Sequence, residues 1–398
     1  MRYKDLNSII KNFIVVVFLY GLTSASFNGF FGIYVKELGH PESAVGTILS
    51  LRRLSVGFFT FLIALISQKI GHKKSLIMGL FTVGISSILI VLVENLQLMK
   101  LISVAFGFGQ AAMLTVESPF IYNQTDIEER VHAFSLTFAA RNAAFMTGSL
   151  ITGFLADIFA KNIGPGALSV RYALIAVSCM SLIAIIPLLM LKPNPTKEHK
   201  RLDISEIKGF FTKTNITFLI YSGFVGLGAG LVVPFFGVYL KYVLDTSDSI
   251  VGAILSFSQL GTVFGGLSVP FLSKRIGSYK TIIATQLLSI PLLIAIGFPQ
   301  GIIMMAIAFF LRSSLMNMGQ PLIRNISMSL VNELHRPLMS AMRAMVNNIT
   351  RAIGIYFGGL LMARFTYNTP YAFTIIFYLI GTSIFFSIFK DKVGGKKV

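Results

Sequence analysis

The chain has 398 residues, of which 54% are hydrophobic and only 13% charged, with a net charge of +18 and a mean hydropathy of +0.76. A soluble domain is about a quarter charged, so this composition excludes a soluble globular fold, and with it the nucleic-acid binding that such a charge would otherwise suggest. The single cysteine, Cys179, excludes an intramolecular disulfide and reads as a small core residue.

Apolar runs of about 20 residues recur along the whole length, the signature of membrane-spanning helices. The N-terminal MRYKDLNSIIKN leads straight into the first run, so it reads as the start of a span and not as a cleavable signal. About twelve spans are expected in chain order: 13–35, 44–67, 75–93, 101–123, 132–157, 168–191, 214–240, 249–272, 279–298, 301–328, 337–363 and 370–389. Tryptophan is absent, so Tyr and Phe must supply any interfacial aromatics. With a cytoplasmic N-terminus, most of the 34 lysines and arginines fall on the cytoplasmic side, and only Lys36, Lys100, Lys161, Arg171, Lys241 and Arg364 fall outside. That asymmetry orients the chain with both termini inside. The linker 192–213, carrying Lys192, Lys197, Lys200, Arg201, Lys208 and Lys213, and the tail KDKVGGKKV are the strongest anchors.

The chain repeats itself. GLTSASFNGFFGIYVK at 21–36 matches GLGAGLVVPFFGVYLK at 226–241, an offset of 205, so that Phe30, Phe31, Gly32, Tyr34 and Lys36 recur as Phe235, Phe236, Gly237, Tyr239 and Lys241. At an offset of 206, VGTILS at 45–50 answers VGAILS at 251–256, and SQKIGHKKS at 67–75 answers SKRIGSYKT at 273–281. Arg130, Gly148 and Gly153 map in the same way to Arg336, Gly354 and Gly359. A shared offset over more than a hundred residues implies an all-α polytopic membrane protein of two pseudo-symmetric six-helix halves. These are 1–191 and 214–398, joined by the cytoplasmic linker 192–213. Parallel halves of this kind are a transporter architecture with a central site between them.

Helix number, repeat and loop position together resemble the major facilitator superfamily, in particular its bacterial exporters. That family carries a loop of the form G-x-x-x-D-R/K-x-G-R/K-R/K between its second and third helices. The matching stretch here is Ala64, Gln68, Lys69, Gly71, His72 and Lys73, and its copy is Pro270, Lys274, Arg275 and Gly277. The resemblance implies a gating role for Gln68, Lys69, Gly71, Lys73, Lys274, Arg275 and Gly277. The family's loop Asp is Gln68 in one copy and Lys274 in the other, so the charge pairing it would supply lacks its acid. The helix 4 arginine of the family is also missing, with Ser103 in its place. A glycine signature of exporters, G-P-x-x-G-G, is only partly matched by GSLITG at 148–153. That run, and GIYFGG at 354–359, can equally be a packing motif that lets two helices approach closely.

Ionisable groups inside a span cost roughly 2.5–3.5 kcal/mol each and mark pathways or pairs. At about 1.5 Å per residue, Arg52, Arg53, Arg141 and Arg312 lie roughly 13–17 Å deep, near the midplane of a core of about 30 Å. Arg351 lies slightly beyond the midplane, and Arg324 and Arg343 lie nearer the cytoplasm. Arg52 and Arg53 are adjacent and point about 100° apart, so at most one faces a central cavity. The one clear intramembrane acid is Glu117, just before Pro119. It can serve as a structural partner for Arg141 or for the basic loops, or as a proton carrier, since a carboxyl desolvated in the membrane is easier to protonate. Arg343, Asn347 and Arg351 share one helix face by their i, i+4, i+8 spacing, and Asn347 maps to Arg141 in the repeat. These positions make Arg141, Arg312, Arg351, Asn347, Arg52 and Asn28 the candidate substrate-binding residues and Glu117 the candidate proton-coupling residue.

No zinc-spaced cluster, G-x-S-x-G or phosphate-cradling loop is present, and the five histidines are scattered. The chain is therefore expected to be no enzyme, to need no metal or other cofactor, and to draw on an ion or substrate gradient. The function expected is that of a secondary active transporter working by alternating access, exporting a small anionic organic molecule in exchange for protons. Proton-coupled uptake of an anionic nutrient remains an alternative, as does a lipid flippase or a non-transporting membrane sensor. The expected partners are the small-molecule substrate, protons and the lipid bilayer of the cell (inner or plasma) membrane, with the chain acting as a monomer.

Overall fold

The computed structural model describes residues 7–192, 208–298, 301–332 and 335–393, and every regular element among them is helical. In chain order these are α1 (Ser8–Glu37), α2 (Glu42–Ile70), α3 (His72–Leu92), α4 (Leu96–Gln124), α5 (Ile127–Ile163), α6 (Ala167–Ile183) and a short α7 (Ile185–Met190). There follow α8 (Lys213–Val232), α9 (Phe236–Val243), α10 (Asp248–Ile276), α11 (Ser278–Gly297), α12 (Ile302–Met318), α13 (Gln320–Ser329), α14 (Arg336–Arg364) and α15 (Thr369–Val393). Most of the expected linker, including Lys197, Lys200 and Arg201, and the end of the basic tail lie outside the described residues.

Eleven helices among the described residues are long and apolar enough to cross a membrane. The expected span 337–363 is the unbroken helix α14, but it is not one of the eleven, because Arg343, Asn347, Asn348 and Arg351 dilute its apolar run. Three expected spans are interrupted, the first of them 168–191, which breaks at Ala184 between α6 and α7. The span 214–240 is broken by a 3-10 turn at Val233–Phe235, and 301–328 is broken at Gly319. These last two breaks have a proline at hand, Pro234 and Pro321. Each removes a backbone donor from the helical ladder.

By contacts the chain divides into two units. Unit 1 is Met1–His199 with Phe235–Ser256, and unit 2 is Lys200–Pro234 with Phe257–Val398. In unit 1, α1 packs on α5 and α6, while α4 packs on α2 and α3. Between Tyr20 and Val35 every residue of α1 is buried except Asn28, as befits a helix that is apolar all round. Its N-terminus is capped by Asn7, whose Oδ1 accepts from the amide of Ile9 at 3.1 Å. In unit 2, α8 takes the place of α1: it packs on α14 and α15, and α11 packs on α12 and α15.

The repeat recurs in the backbone. Gly71 ends α2 and opens α3 at φ 88° and ψ 154°, and Gly277 ends α10 and opens α11 at φ 87° and ψ 153°. This left-handed region is costly for any residue with a side chain. The glycine runs on α5 and α14 also correspond. A Cβ on Gly148 would lie 2.8 Å from the carbonyl oxygen of Leu22, and one on Gly354 would lie 2.2 Å from that of Leu227. Leu22 and Leu227 are themselves 205 residues apart, so both runs are close-contact surfaces between equivalent helix pairs.

Candidate functional site

In unit 1 the polar groups of the spans gather on α1, α2, α4 and α5. Arg52 donates from Nη2 to Asn28 Oδ1 at 3.0 Å, and its guanidinium lies 5.2 Å from the centre of the Phe106 ring. A cation over an aromatic face is favourable where water is scarce. Asn28 is thus both the exposed residue in the buried stretch of α1 and an acceptor for a half-buried charge. Beside this pair, Arg141 on α5 forms an ion pair with Glu117 on α4. The Glu117 side chain is 13% exposed and that of Arg141 37%. The buried Tyr20 lies within electrostatic reach of Arg141, Glu117 and Arg52. Three of the expected binding residues and the expected proton-coupling residue therefore stand together in one unit.

Unit 2 brings together a different set. Arg312 on α12 is 4% exposed and donates from Nη2 to the hydroxyl of Tyr378 on α15 at 3.4 Å. Arg351 on α14 lies within electrostatic reach of both Arg312 and Tyr378. It donates no hydrogen bond to another described residue. Asn347, one turn away, presses against α8 at Gly226, where an added Cβ would meet its Nδ2 at 3.1 Å. Glu333 is the only Asp or Glu between Ser249 and Lys390. The arginines of this stretch therefore have almost no carboxylates to draw on, whereas Arg141 in unit 1 has its own.

The basic loops do different work in the two copies. Lys73 donates from Nζ to the carbonyl oxygens of Leu189 and Leu191, at 2.8 and 2.6 Å, closing the C-terminal end of α7. Its counterpart by the repeat is Tyr279, which instead packs against Phe389 of α15 with ring centres 4.8 Å apart and planes tilted by 36°. The loop is tied to the last helix of its repeat in both cases, once by charge and once by aromatic packing. Gln68, Lys69 and Lys274 are exposed, and Arg275 folds over Phe271 at 4.2 Å.

Sequence reasoning missed a further polar cluster in unit 1. Lys36 pairs with Glu42 at 2.5 Å, and Lys241 pairs with Asp248 at 3.1 Å. The two lysines match in the repeat, and the acids follow at an offset of 206, so this duplicated ion pair was legible had the acids been compared. Asp157 on α5 accepts from the amides of Asp248 and Ser249, at 3.1 and 3.0 Å, and from the hydroxyl of Ser249. It caps the start of α10 from another helix, which no local motif announces. Tyr20, Phe106 and Tyr378, which support the arginines, carried no periodic signal that set them apart from core aromatics.

This helical architecture and its intramembrane arginines define a multi-pass membrane transporter. The chain matches the Major Facilitator Superfamily over residues 13–225 and 218–398, and it belongs to that family. It is 22% identical over 355 residues to the multidrug efflux protein YfmO of Bacillus subtilis (strain 168), covering 87% of this chain and 84% of that one. It is 23% identical over 402 residues to the multidrug resistance protein MdtG of Escherichia fergusonii, covering 95% and 93%. Among solved structures, the nucleoside transporter NupG superposes with a TM-score of 0.79 at 15% identity, over 96% of this chain and 99% of that one. A bacterial homologue of the iron transporter ferroportin superposes at 0.71 with 13% identity, over 96% and 98%.

Proposed function

We propose that this transporter is a proton-coupled exporter of a small anionic organic molecule, working by alternating access between halves 1–191 and 214–398. The observation that carries the reading is the pair Arg312 and Arg351 in a stretch of the chain almost devoid of acids. Cations held near a bilayer midplane without carboxylates are an expensive arrangement unless an anion is their partner. Arg312 and Arg351 are the main substrate contacts on this reading. Arg141, Arg52, Asn28 and Asn347 complete the set. Glu117 is the proton site, alternating between its ion pair with Arg141 and a protonated form that releases Arg141 to the substrate. Export is favoured over uptake by the efflux proteins among the relatives. The chain acts as a monomer in the cell membrane, with both termini in the cytoplasm, and carries out no chemical conversion of its cargo.

The test is transport in proteoliposomes holding purified protein, with di- and tricarboxylates or sugar phosphates compared against lipophilic cations. Anion flux driven by an opposed proton gradient is expected. It should fall at least tenfold in Arg312→Gln and in Arg351→Gln and lose its proton dependence in Glu117→Gln. Uptake driven by an inward proton gradient in the same direction would replace export by symport. Selective cation transport that persists undiminished in Arg141→Ala would overturn the anion reading. Lipid scrambling without solute flux would replace transport of solutes altogether.

A further inference from the structure

A second basic group in unit 2 lies away from Arg312 and Arg351. Arg324 on α13 and Arg343 on α14 are near enough to repel each other, and Tyr221 on α8 is within electrostatic reach of Arg343. The Nε of Arg343 is buried and meets no acceptor. Among the described residues neither guanidinium forms an ion pair or donates a hydrogen bond. Like charges brought together on two different helices cost free energy unless something neutralises them.

Tyr221 adds a third donor. It is 1% exposed, and its hydroxyl oxygen already accepts from Gln286 Nε2 at 2.7 Å. The orientation of that amide is fixed by its other end, since Gln286 Oε1 accepts from Thr382 at 2.9 Å. The phenolic proton of Tyr221 is thereby left to be donated, and buried donors are seldom left without an acceptor. Arg324 is exposed and Arg343 half-buried, and on the inner side their neighbours Ile323, Met342 and Val346 belong to the apolar cluster that also holds Phe218 and Phe385. An apolar wall strengthens whatever electrostatic contact is made there.

We propose that Arg324, Arg343 and Tyr221 form a phosphate-binding site separate from the Arg312 and Arg351 pair, about 12 Å away along α14 at 1.5 Å per residue. Two guanidiniums and a hydroxyl suit a phosphate group in charge and in donor type, because a guanidinium can present a planar fork to two oxygens. Inorganic phosphate or a phosphate monoester carries up to two negative charges near neutral pH, enough to cancel both arginines, and a phosphodiester headgroup carries one, enough to remove most of their repulsion. The group is either the headgroup of an anionic phospholipid or a soluble phosphate. The site does not depend on the transport reading, because it needs no flux to be occupied.

The experiment uses the full chain, purified in detergent. Retention of phosphatidylglycerol is measured by native mass spectrometry, and binding of radiolabelled inorganic phosphate by equilibrium dialysis. One of the two probes should bind. Arg343→Gln and Arg324→Gln should each weaken it tenfold or more, as loss of hydrogen bonds to a charged group implies. Arg343→Lys keeps the charge but loses the fork, so it should bind more weakly than the parent and more tightly than Arg343→Gln, and Arg312→Gln should leave the affinity unchanged. Lipid retained against excess inorganic phosphate identifies a headgroup site, and phosphate bound without lipid identifies a soluble one. Both glutamine variants remove an uncompensated charge, so they should fold at least as well as the parent, which elution as a single monodisperse peak will verify. The proposal is overturned if neither probe binds the parent protein, or if both glutamine variants bind as the parent does.

Discussion

Asp157 is the point at which removal of one carboxylate should loosen a helix end. Its carboxylate takes two backbone amides and a hydroxyl from Asp248 and Ser249, at the head of a helix 29 residues long. It is the side-chain contact by which α5 holds the start of α10 within unit 1, beside the close backbone approaches at Gly153 and Gly252. A capping acceptor contributes about 0.5–2 kcal/mol, and a carboxylate at a helix N-terminus adds about 0.3–1 kcal/mol through the helix dipole. Asp157 is half-buried, so solvent competes for part of this, and about 2 kcal/mol is the expected loss in Asp157→Ala. At 1.4 kcal/mol per factor of ten, that is roughly a thirtyfold rise in local opening. The assay is hydrogen–deuterium exchange of the full-length protein, read on the peptide that contains Asp248 and Ser249. Exchange there tracks the opening equilibrium directly, because these are the amides that lose their acceptor. Asp157→Asn keeps an acceptor oxygen without the charge and should raise exchange only several-fold. Unchanged exchange at Asp248 and Ser249 in Asp157→Ala would refute the reasoning, since the carboxylate would then not be what closes that helix end.

Other consequences are as direct. A Cβ on Gly237 would lie 1.8 Å from the carbonyl oxygen of Gly29, so Gly237→Ala should cost about 3 kcal/mol and lower the thermal midpoint sharply. Gly266 has nothing within 4 Å of its Cβ position, so Gly266→Ala should instead stabilise by about 0.5–1 kcal/mol, measured by the same melt. Lys73→Gln removes the two contacts to Leu189 and Leu191 and should destabilise by about 1–2 kcal/mol. Tyr279→Ala, at the matching place in the other repeat, should cost about 2–3 kcal/mol through lost aromatic packing, since Tyr279 is only half-buried. Glu117→Gln leaves Arg141 without its acid and should cost about 1–2 kcal/mol after allowance for the exposure of Arg141. The double variant Glu117→Gln with Arg141→Gln should recover about half of that, and strict additivity in the melts would show that the pair is not coupled.

The helical fold was open to reading because a bilayer demands long apolar runs, and because a duplicated half repeats its marks. Gly71 and Gly277 show this best: the matched letters became matched backbone angles within a degree. The interruptions at Val233–Phe235 and Gly319 were not foreseen, although Pro234 and Pro321 stand beside them, because an apolar window averages over a missing backbone donor. The site was legible in part. An arginine in an apolar span declares itself by its cost, and the pairing of Glu117 with Arg141 was one of the two readings left open. Which arginines lie together depends on the rotation of each helix about its axis, and that is set by contacts at positions such as Gly148 and Gly354 that carry no charge. Asp157 lay beyond reach for a related reason: its partners are 91 and 92 residues away and belong to another helix.

The two repeats have kept their backbone and diverged in their charge. The ion pairs Lys36–Glu42 and Lys241–Asp248 are still equivalent at one end of each repeat. Deeper in, the equivalence lapses. Arg141 keeps an acid while its counterpart is the neutral Asn347, and Arg351 has no acid between Ser249 and Lys390 other than Glu333 to draw on. A duplicated scaffold loses nothing by keeping its packing glycines, since each is held in place by a backbone contact. Its charges are free to change, provided each half settles its own electrostatic cost. The first half settles it internally, through Glu117. In the second half no carboxylate of the described residues pairs with Arg351, and on the proposed reading an anion that visits Arg351 and Arg312 would make up the difference only while it is bound. Binding energy of that kind is lost when the anion leaves, which is what a carrier requires of its cargo. On the proposed reading, cargo is recognised by the second repeat and protons are exchanged in the first, which predicts that charge-neutral substitutions at Arg312 and Arg351 will impair transport far more than they impair folding.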